Sequence, residues 1–281
     1  MTDINCIDFD RQFQRYAAEW VKRNGGKYKN NMDVIEDMMP DVYQQFLEKP
    51  AAWLDGAAPG TYFEQFDDAD ELVAWLCAYM EKGVPVPDVL LERITELGGA
   101  AEDALLALLE RDAATDEMRM TAVSLLGEME SVKPMRRYIG WIAALKPDDA
   151  RADLCDLCAE MLTSMGEAVV EPILDALPDA TQAARDVFAD ILSNYPGDER
   201  IYELLMERFA HEQERRALFA SYLAKLGDPR ALPALIEAAA AQDINYLDFV
   251  EISSAIDALG GERPAEREFA GDPYYESLKR V

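Results

Sequence analysis

A helix-closing glycine returns along this chain again and again: ELG ends at Gly98, LLG at Gly127, SMG at Gly166, NYPG at Gly197, KLG at Gly227 and ALG at Gly260. The recurrence of about thirty to forty residues is the period of arrays built from one helical unit. The clearest unit is Leu226 to Gly260. Asp228 can cap a first helix with Pro229 at its first position, where a missing N–H costs nothing because that donor is an orphan anyway. Ala231, Leu232, Leu235, Ile236 and Ala239 follow at helical spacing, and Gln242-Asp243 breaks the pattern. A second run then puts Leu247, Phe249, Ile252, Ile256 and Leu259 on one apolar stripe, and Gly260-Gly261 supplies a left-handed stop. One such hairpin cannot bury both stripes alone, so it needs neighbours. Proline recurs with the glycines, since Pro134, Pro172 and Pro233 each follow one by six or seven residues. A proline early in a first helix predicts a kink at a fixed place in each unit.

The run LGDPRALPALIEA at Leu226 to Ala238, with MGEAVVEPILDAL at Met165 to Leu177 and weaker copies near Gly98, Gly127 and Gly197, resembles the short HEAT-like repeats, also called phycobilisome-lyase-like repeats. The resemblance covers roughly residues 87 to 260. It implies an all-α fold, an α-solenoid of HEAT-like helix pairs, and it implies scaffolding or binding more than any chemistry. The unit after Gly127 is longer than the others, which predicts an insertion near Ala144 to Asp149.

Residues 1–86 read differently, because half of the chain's Phe, Trp and Tyr lie there. Large rings in that density build a compact core or a groove more readily than a thin repeat layer. We expect an aromatic-rich N-terminal helical domain over 1–86, a repeat array over 87–260, and a C-terminal tail over 261–281. Phe9, Phe13, Tyr16, Ala17, Trp20 and Val21 predict a first helix from about Asp8 to Arg23, followed by a basic loop at Lys27-Tyr28-Lys29. Met32 to Met39 reads as a short helix, and Pro40 opens another. Pro59-Gly60 marks a turn inside a structured loop. Asp67, Asp68, Asp70 and Glu71 load the start of the next helix with negative charge, which complements its dipole. In the tail, Asp272-Pro273 predicts a short terminal helix whose neighbours Phe269, Tyr274, Tyr275 and Leu278 cover the last repeat.

The formal net charge of −28 repels nucleic acid and anionic membrane surfaces, so neither is an expected partner. The start, MTDINCIDFDRQF, lacks a basic region followed by an apolar run, and no stretch is long and apolar enough for a membrane span. Four cysteines are too few for a disulfide framework at this length, which points to a reducing, cytoplasmic compartment.

Chemistry finds little support. Cys155 and Cys158 share a helix face, but Leu154, Leu157, Met161 and Leu162 around them make an apolar core stripe, and no metal is expected. His211 is the only histidine, so the several His-Glu pairs that hold two irons in HEAT-like deoxyhypusine hydroxylases have no counterpart here. No GxSxG, GxxxxGK[ST] or GxGxxG motif occurs, and no cofactor is implied. What the second helices do offer is acid. Glu117, Asp156, Asp186 and, one turn along, Asp190 recur near a fixed distance from the closing residues, as a column able to dock a basic helix or tail. The leading expectation is therefore a protein-interaction or scaffold module, an acidic HEAT-like repeat protein whose partner is a protein or peptide. The alternative is an enzyme or small-ligand binder with a pocket walled by Trp53, Tyr62 and Phe63.

Overall fold

The computed structural model describes residues 4–28 and 31–278, and every regular element among them is an α-helix or a 3-10 turn. Lys29 of the expected basic loop lies outside the described residues, as do residues 1–3 and 279–281. None of the described helices is long and apolar enough to cross a membrane. The chain divides into two units, Met1–Val132 and Lys133–Val281.

In the first unit, α1 (Phe9–Asn24) starts where the Asp8 carboxylate accepts the Arg11 amide at 2.8 Å. A 3-10 turn at Gly25–Tyr28 leads to α2 (Met32–Asp37) and α3 (Met39–Glu48), which carries Pro40 in its first turn, where no amide is needed. Two more 3-10 segments, Ala52–Leu54 and Pro59–Gln65, form the expected structured loop. The turn within it falls at Asp55 and Gly56, both left-handed (φ +54° and +93°), and not at Pro59-Gly60. Pro59 instead opens the second 3-10 segment with its fixed φ, and Gly60 lies against α3, where a Cβ would meet the Leu47 carbonyl oxygen at 3.1 Å. Helix α4 (Ala69–Glu81) is capped by Asp68, which accepts the amides of Asp70 and Glu71 at 2.9 and 3.2 Å. Its Tyr79 is wholly buried. The Tyr79 hydroxyl donates to the Ile7 carbonyl at 3.1 Å and accepts the Ile7 amide at 3.2 Å, tying the strand of chain before α1 to α4. Three further helices, α5 (Asp88–Glu96), α6 (Gly99–Glu110) and α7 (Asp116–Glu128), complete the unit, with α6 packed between α4 and α7.

The second unit holds α8 (Met135–Ala143), α9 (Ala152–Ser164), α10 (Val170–Ala176), α11 (Gln182–Leu192), α12 (Glu199–His211), α13 (Arg216–Leu226), α14 (Leu232–Ala240), α15 (Tyr246–Ala258) and α16 (Pro273–Leu278). Sequence neighbours pack as pairs (α8 with α9, α12 with α13, α14 with α15), while α8 meets α10, α9 meets α11 and α13 meets α15. The expected insertion is the loop between α8 and α9, pinned where the Thr181 hydroxyl donates to the Leu145 carbonyl.

The closing glycines at 98, 166, 197, 227 and 260 all have positive φ, the conformation a helix stop requires. Gly127 does not. It lies inside α7, which runs one residue further, and Glu130 takes the left-handed position at φ +54° while the Ser131 amide donates back to the Leu126 carbonyl. Two stripe residues of the Leu226–Gly260 hairpin also depart from expectation: Ile236 and Leu247 are 46% and 48% exposed. Ile236 follows the buried Leu235 in α14, whereas Leu247 lies in the first turn of α15 between the half-buried Tyr246 and Asp248. The recurrent prolines produce no mid-helix kink. Pro172 and Pro233 sit in the first turns of α10 and α14, just after the 3-10 segments Gly166–Val169 and Pro229–Ala231, and Pro134 stands immediately before α8. Each proline's missing N–H therefore falls among amides that have no intrahelical partner.

One ion-pair device occurs twice. Asp198 accepts both the Arg200 amide and its guanidinium, and Arg200 reaches on to Glu171 of α10. Asp228 holds Arg230 in the same way, and Arg230 reaches Glu199 at the start of α12 at 2.9–3.0 Å. The Arg200 hydrogen bonds hold the Glu171 and Asp198 carboxyls below their ordinary values, and Arg230 does the same to Asp228. A carboxyl depressed in the folded state contributes stability above its unfolded pKa of about 4 and loses it as pH falls through the folded value. Self-repulsion of the −28 chain relaxes as pH approaches the pI of about 4.3. The urea midpoint should therefore hold or rise slightly from pH 7 to 5 and drop below pH 4. Arg200→Gln with Arg230→Gln should flatten that drop, and an unchanged acid limb would contradict the assignment.

Candidate functional site

Helices α9, α11 and α13 each bury one side: Leu154, Cys155, Cys158 and Leu162 on α9, Ala184, Phe188 and Leu192 on α11, Phe219 and Leu223 on α13. With those stripes inward, residues one position or one turn away face out together. Asp156, Glu160 and Thr163 from α9, Asp186, Val187 and Asp190 from α11, and Leu218 and Tyr222 from α13 line a single groove of about 400 Å³. Its floor is apolar, from Val187, Leu218 and the Tyr222 ring, and its rim carries the carboxylates of Asp156, Glu160, Asp186 and Asp190 together with the Arg215 guanidinium.

The carboxylates are not equivalent. Asp186 Oδ1 accepts from Arg208 Nη2 at 2.8 Å and from Arg215 Nη1 at 2.7 Å. Glu212 accepts from Arg208 at 2.7 Å and Arg215 at 3.4 Å, closing a four-membered network. Arg208 is 8% exposed and lies 4.7 Å over the Phe219 ring, with Arg215 at 5.6 Å. Burial opposes ionisation of Glu212, but the hydrogen bond and charge of Arg208 outweigh it and hold its carboxyl below the usual value. Asp190 binds Lys225 Nζ at 2.8 Å. Burial, with Asp190 and Asp186 beside it, pushes the Tyr222 phenol up to about 12, so it stays a neutral donor at any physiological pH. Asp156 and Glu160 are exposed and have no ion pair among the described residues.

Three of the four acids singled out in the sequence thus meet in this groove: Asp156 free, Asp190 paired at its edge, and Asp186 committed to the interior. Glu117 is exposed on α7 and belongs to the other unit. Sequence reasoning overlooked Arg208, although a signal existed. Ile201, Leu205, Arg208 and Phe209 lie at i, i+4, i+7 and i+8, so a charge occupies a position in the buried stripe of α12.

In the first unit, Phe9 gathers the three aromatic residues of the alternative site: Trp53 edge-on at 5.2 Å, Phe63 stacked at 6.1 Å and Tyr62 at 6.3 Å. Phe63 is 1% exposed and belongs to the core. Trp53 lines a cavity of about 280 Å³ with Tyr16 and Phe46, and neither Tyr62 nor Phe63 is part of that lining.

Cys155 and Cys158 form no disulfide and are buried in α9, and burial, then the neighbouring Cys155, pushes the Cys158 thiol well above its ordinary value. Among the described residues no cluster of three or more His, Cys, Asp or Glu is arranged to hold a metal. His211 ends α12 on the surface, its Nδ1 2.8 Å from the Glu207 carbonyl oxygen.

The fold and groove together define a class, an all-helical protein with a helix-lined, acid-rimmed surface groove. No protein-family model matches the chain, and no curated protein is significantly similar to it.

Proposed function

We propose that this chain is a HEAT-like helical repeat protein that acts as a protein-interaction module, a cytoplasmic scaffold whose second unit docks a basic, amphipathic segment of a partner on α9, α11 and α13. The observation that carries the reading is the groove itself, an apolar floor beneath the unpaired carboxylates of Asp156 and Glu160. An apolar face on a bound helix would cover Val187, Leu218 and Tyr222, while its lysines or arginines would meet the rim. The paired packing of α8–α15 and the repeated Arg200 and Arg230 devices support a stack of like units. The buried thiols of Cys77, Cys155 and Cys158 are compatible with a reducing compartment.

Fluorescence anisotropy with a labelled synthetic peptide carrying Leu on one helical face and Lys on the other tests the reading. Two exposed carboxylates contribute about 0.5–1 kcal/mol each, so Asp156→Asn with Glu160→Gln should weaken binding about fivefold or more at low salt. Rising salt should weaken the wild-type complex and narrow that difference, because exposed charge is screened over about 8 Å at physiological ionic strength. Equal affinity of the wild type and the double variant at low salt would reject the acidic rim as the docking element.

A further inference from the structure

The cavity beside Trp53 is lined by two cations and one carboxylate, in a chain whose net charge is −28. Tyr16 of α1, Phe46 of α3 and Trp53 form a continuous aromatic wall, with Trp53 stacked on Phe46 at 6.3 Å and Tyr16 tilted against Phe46 at 5.7 Å. Two cations from different elements, Arg15 of α1 and Lys49 just beyond α3, line the same cavity. The one carboxylate in the lining is Glu19, and it is already taken. Glu19 stands four residues from both Arg15 and Arg23, and it accepts from Arg23 Nη2 at 2.9 Å, the pairing with glutamate on the N-terminal side that helices favour. Arg15 therefore keeps its guanidinium donors free, and it has no ion pair among the described residues. Lys49 has none either, its ammonium resting 5.2 Å over the Tyr16 ring. In a chain with 55 Asp and Glu against 27 Lys and Arg, two cations without carboxylate partners converge on one aromatic cavity.

From this convergence we infer that the first unit carries a binding site for a small planar aromatic acid. The ring stacks on Trp53, with the buried Phe46 behind it, and the carboxylate takes the fork of Arg15, with Lys49 as a second charge. The cavity of about 280 Å³ is just below the ~300–1,000 Å³ of pockets for drug-sized ligands, which limits the occupant to one or two fused rings. Both cations are surface groups, so the arene supplies the burial and the carboxylate supplies selectivity. The site is independent of the acidic groove of the second unit.

Isothermal titration of the full chain with 2-naphthoate and its neutral isostere 2-naphthamide, at physiological salt, tests the site. One equivalent of naphthoate should bind, and naphthamide should bind about tenfold more weakly, the effect of two cations each contributing under 1 kcal/mol. Arg15→Gln with Lys49→Gln changes only exposed positions, and it should bring naphthoate down to the naphthamide level while leaving naphthamide unaffected. Trp53→Ala should weaken both probes, and its melting curve separates loss of the wall from loss of the fold. Asp156→Asn with Glu160→Gln should leave naphthoate binding unchanged. Equal affinities for the two probes, naphthoate binding that survives the Arg15 and Lys49 changes, or no saturable binding up to probe solubility would each overturn the inference.

Discussion

Removing the Asp186 carboxylate should destabilise the protein by about 2–3 kcal/mol, below the 3–5 kcal/mol of a fully buried pair because Asp186 and Arg215 retain some solvent. In Asp186→Ala, Arg208 and Arg215 are left with Glu212 as their only carboxylate in the network, and Arg208 is 8% exposed over Phe219 with little water to compensate. Arg208→Met should cost less, about 1 kcal/mol, because Arg215 still neutralises both acids and a thioether of similar length fills the space above the ring. The double variant should fall short of the sum of the two losses, as groups in one network do. Urea unfolding of the three variants measures this. Asp186→Ala within about 0.5 kcal/mol of wild type would show that the network contributes little to stability. The result also bears on function, since it separates Asp186, which secures α11 to α12 and to the 3-10 turn before α13, from Asp156, which is free to meet a partner.

Phe269→Ala should cost about 3 kcal/mol, the lower end for a buried aromatic because the tail can partly collapse into the space. Phe269 is 8% exposed and meets the rings of Tyr246, Phe249 and Tyr275 at 5.4, 5.1 and 5.7 Å. Around it, Arg267 lies over both Phe249 and Phe269 and donates to the Ala241 carbonyl at 2.7 Å, and Asp272 accepts the Tyr246 amide at 3.0 Å. The tail thereby covers the start of α15. Deleting residues from Glu262 onward should lower the urea midpoint further and speed amide exchange in Tyr246–Ala258. By contrast Leu278, 48% exposed, takes little part in the cover, and Leu278→Ala should change stability by under about 0.5 kcal/mol. A neutral Phe269→Ala would leave the tail without a structural role.

The helices were legible because their signals are local. Asp8, Asp68 and Asp228 announce helix starts through amides two or three residues on, and the apolar stripes repeat within a few turns. The tail helix was legible for the same reason, in Asp272-Pro273. Gly127 misled because a glycine can sit one residue inside a helix while a polar neighbour, Glu130, takes the left-handed turn. The acids of the groove were legible as acids, yet their roles were not. Which of them is free depends on Arg208, Arg215 and Lys225, which lie 22, 29 and 35 residues from the groups they bind, and no local pattern reports such pairs. Likewise, the sequence shows rings at Trp53, Tyr62 and Phe63, but only the packing around Phe9 decides that Phe63 is core and Trp53 is wall.

The claim that the α9, α11 and α13 groove is the docking face is tested most directly by amide hydrogen exchange of the full chain with and without saturating Leu/Lys peptide. Slowed exchange is expected in Ala152–Ser164, Gln182–Leu192 and Arg216–Leu226, with the first unit unchanged. Protection confined to other segments, or none at a peptide concentration that saturates the anisotropy signal, would contradict it.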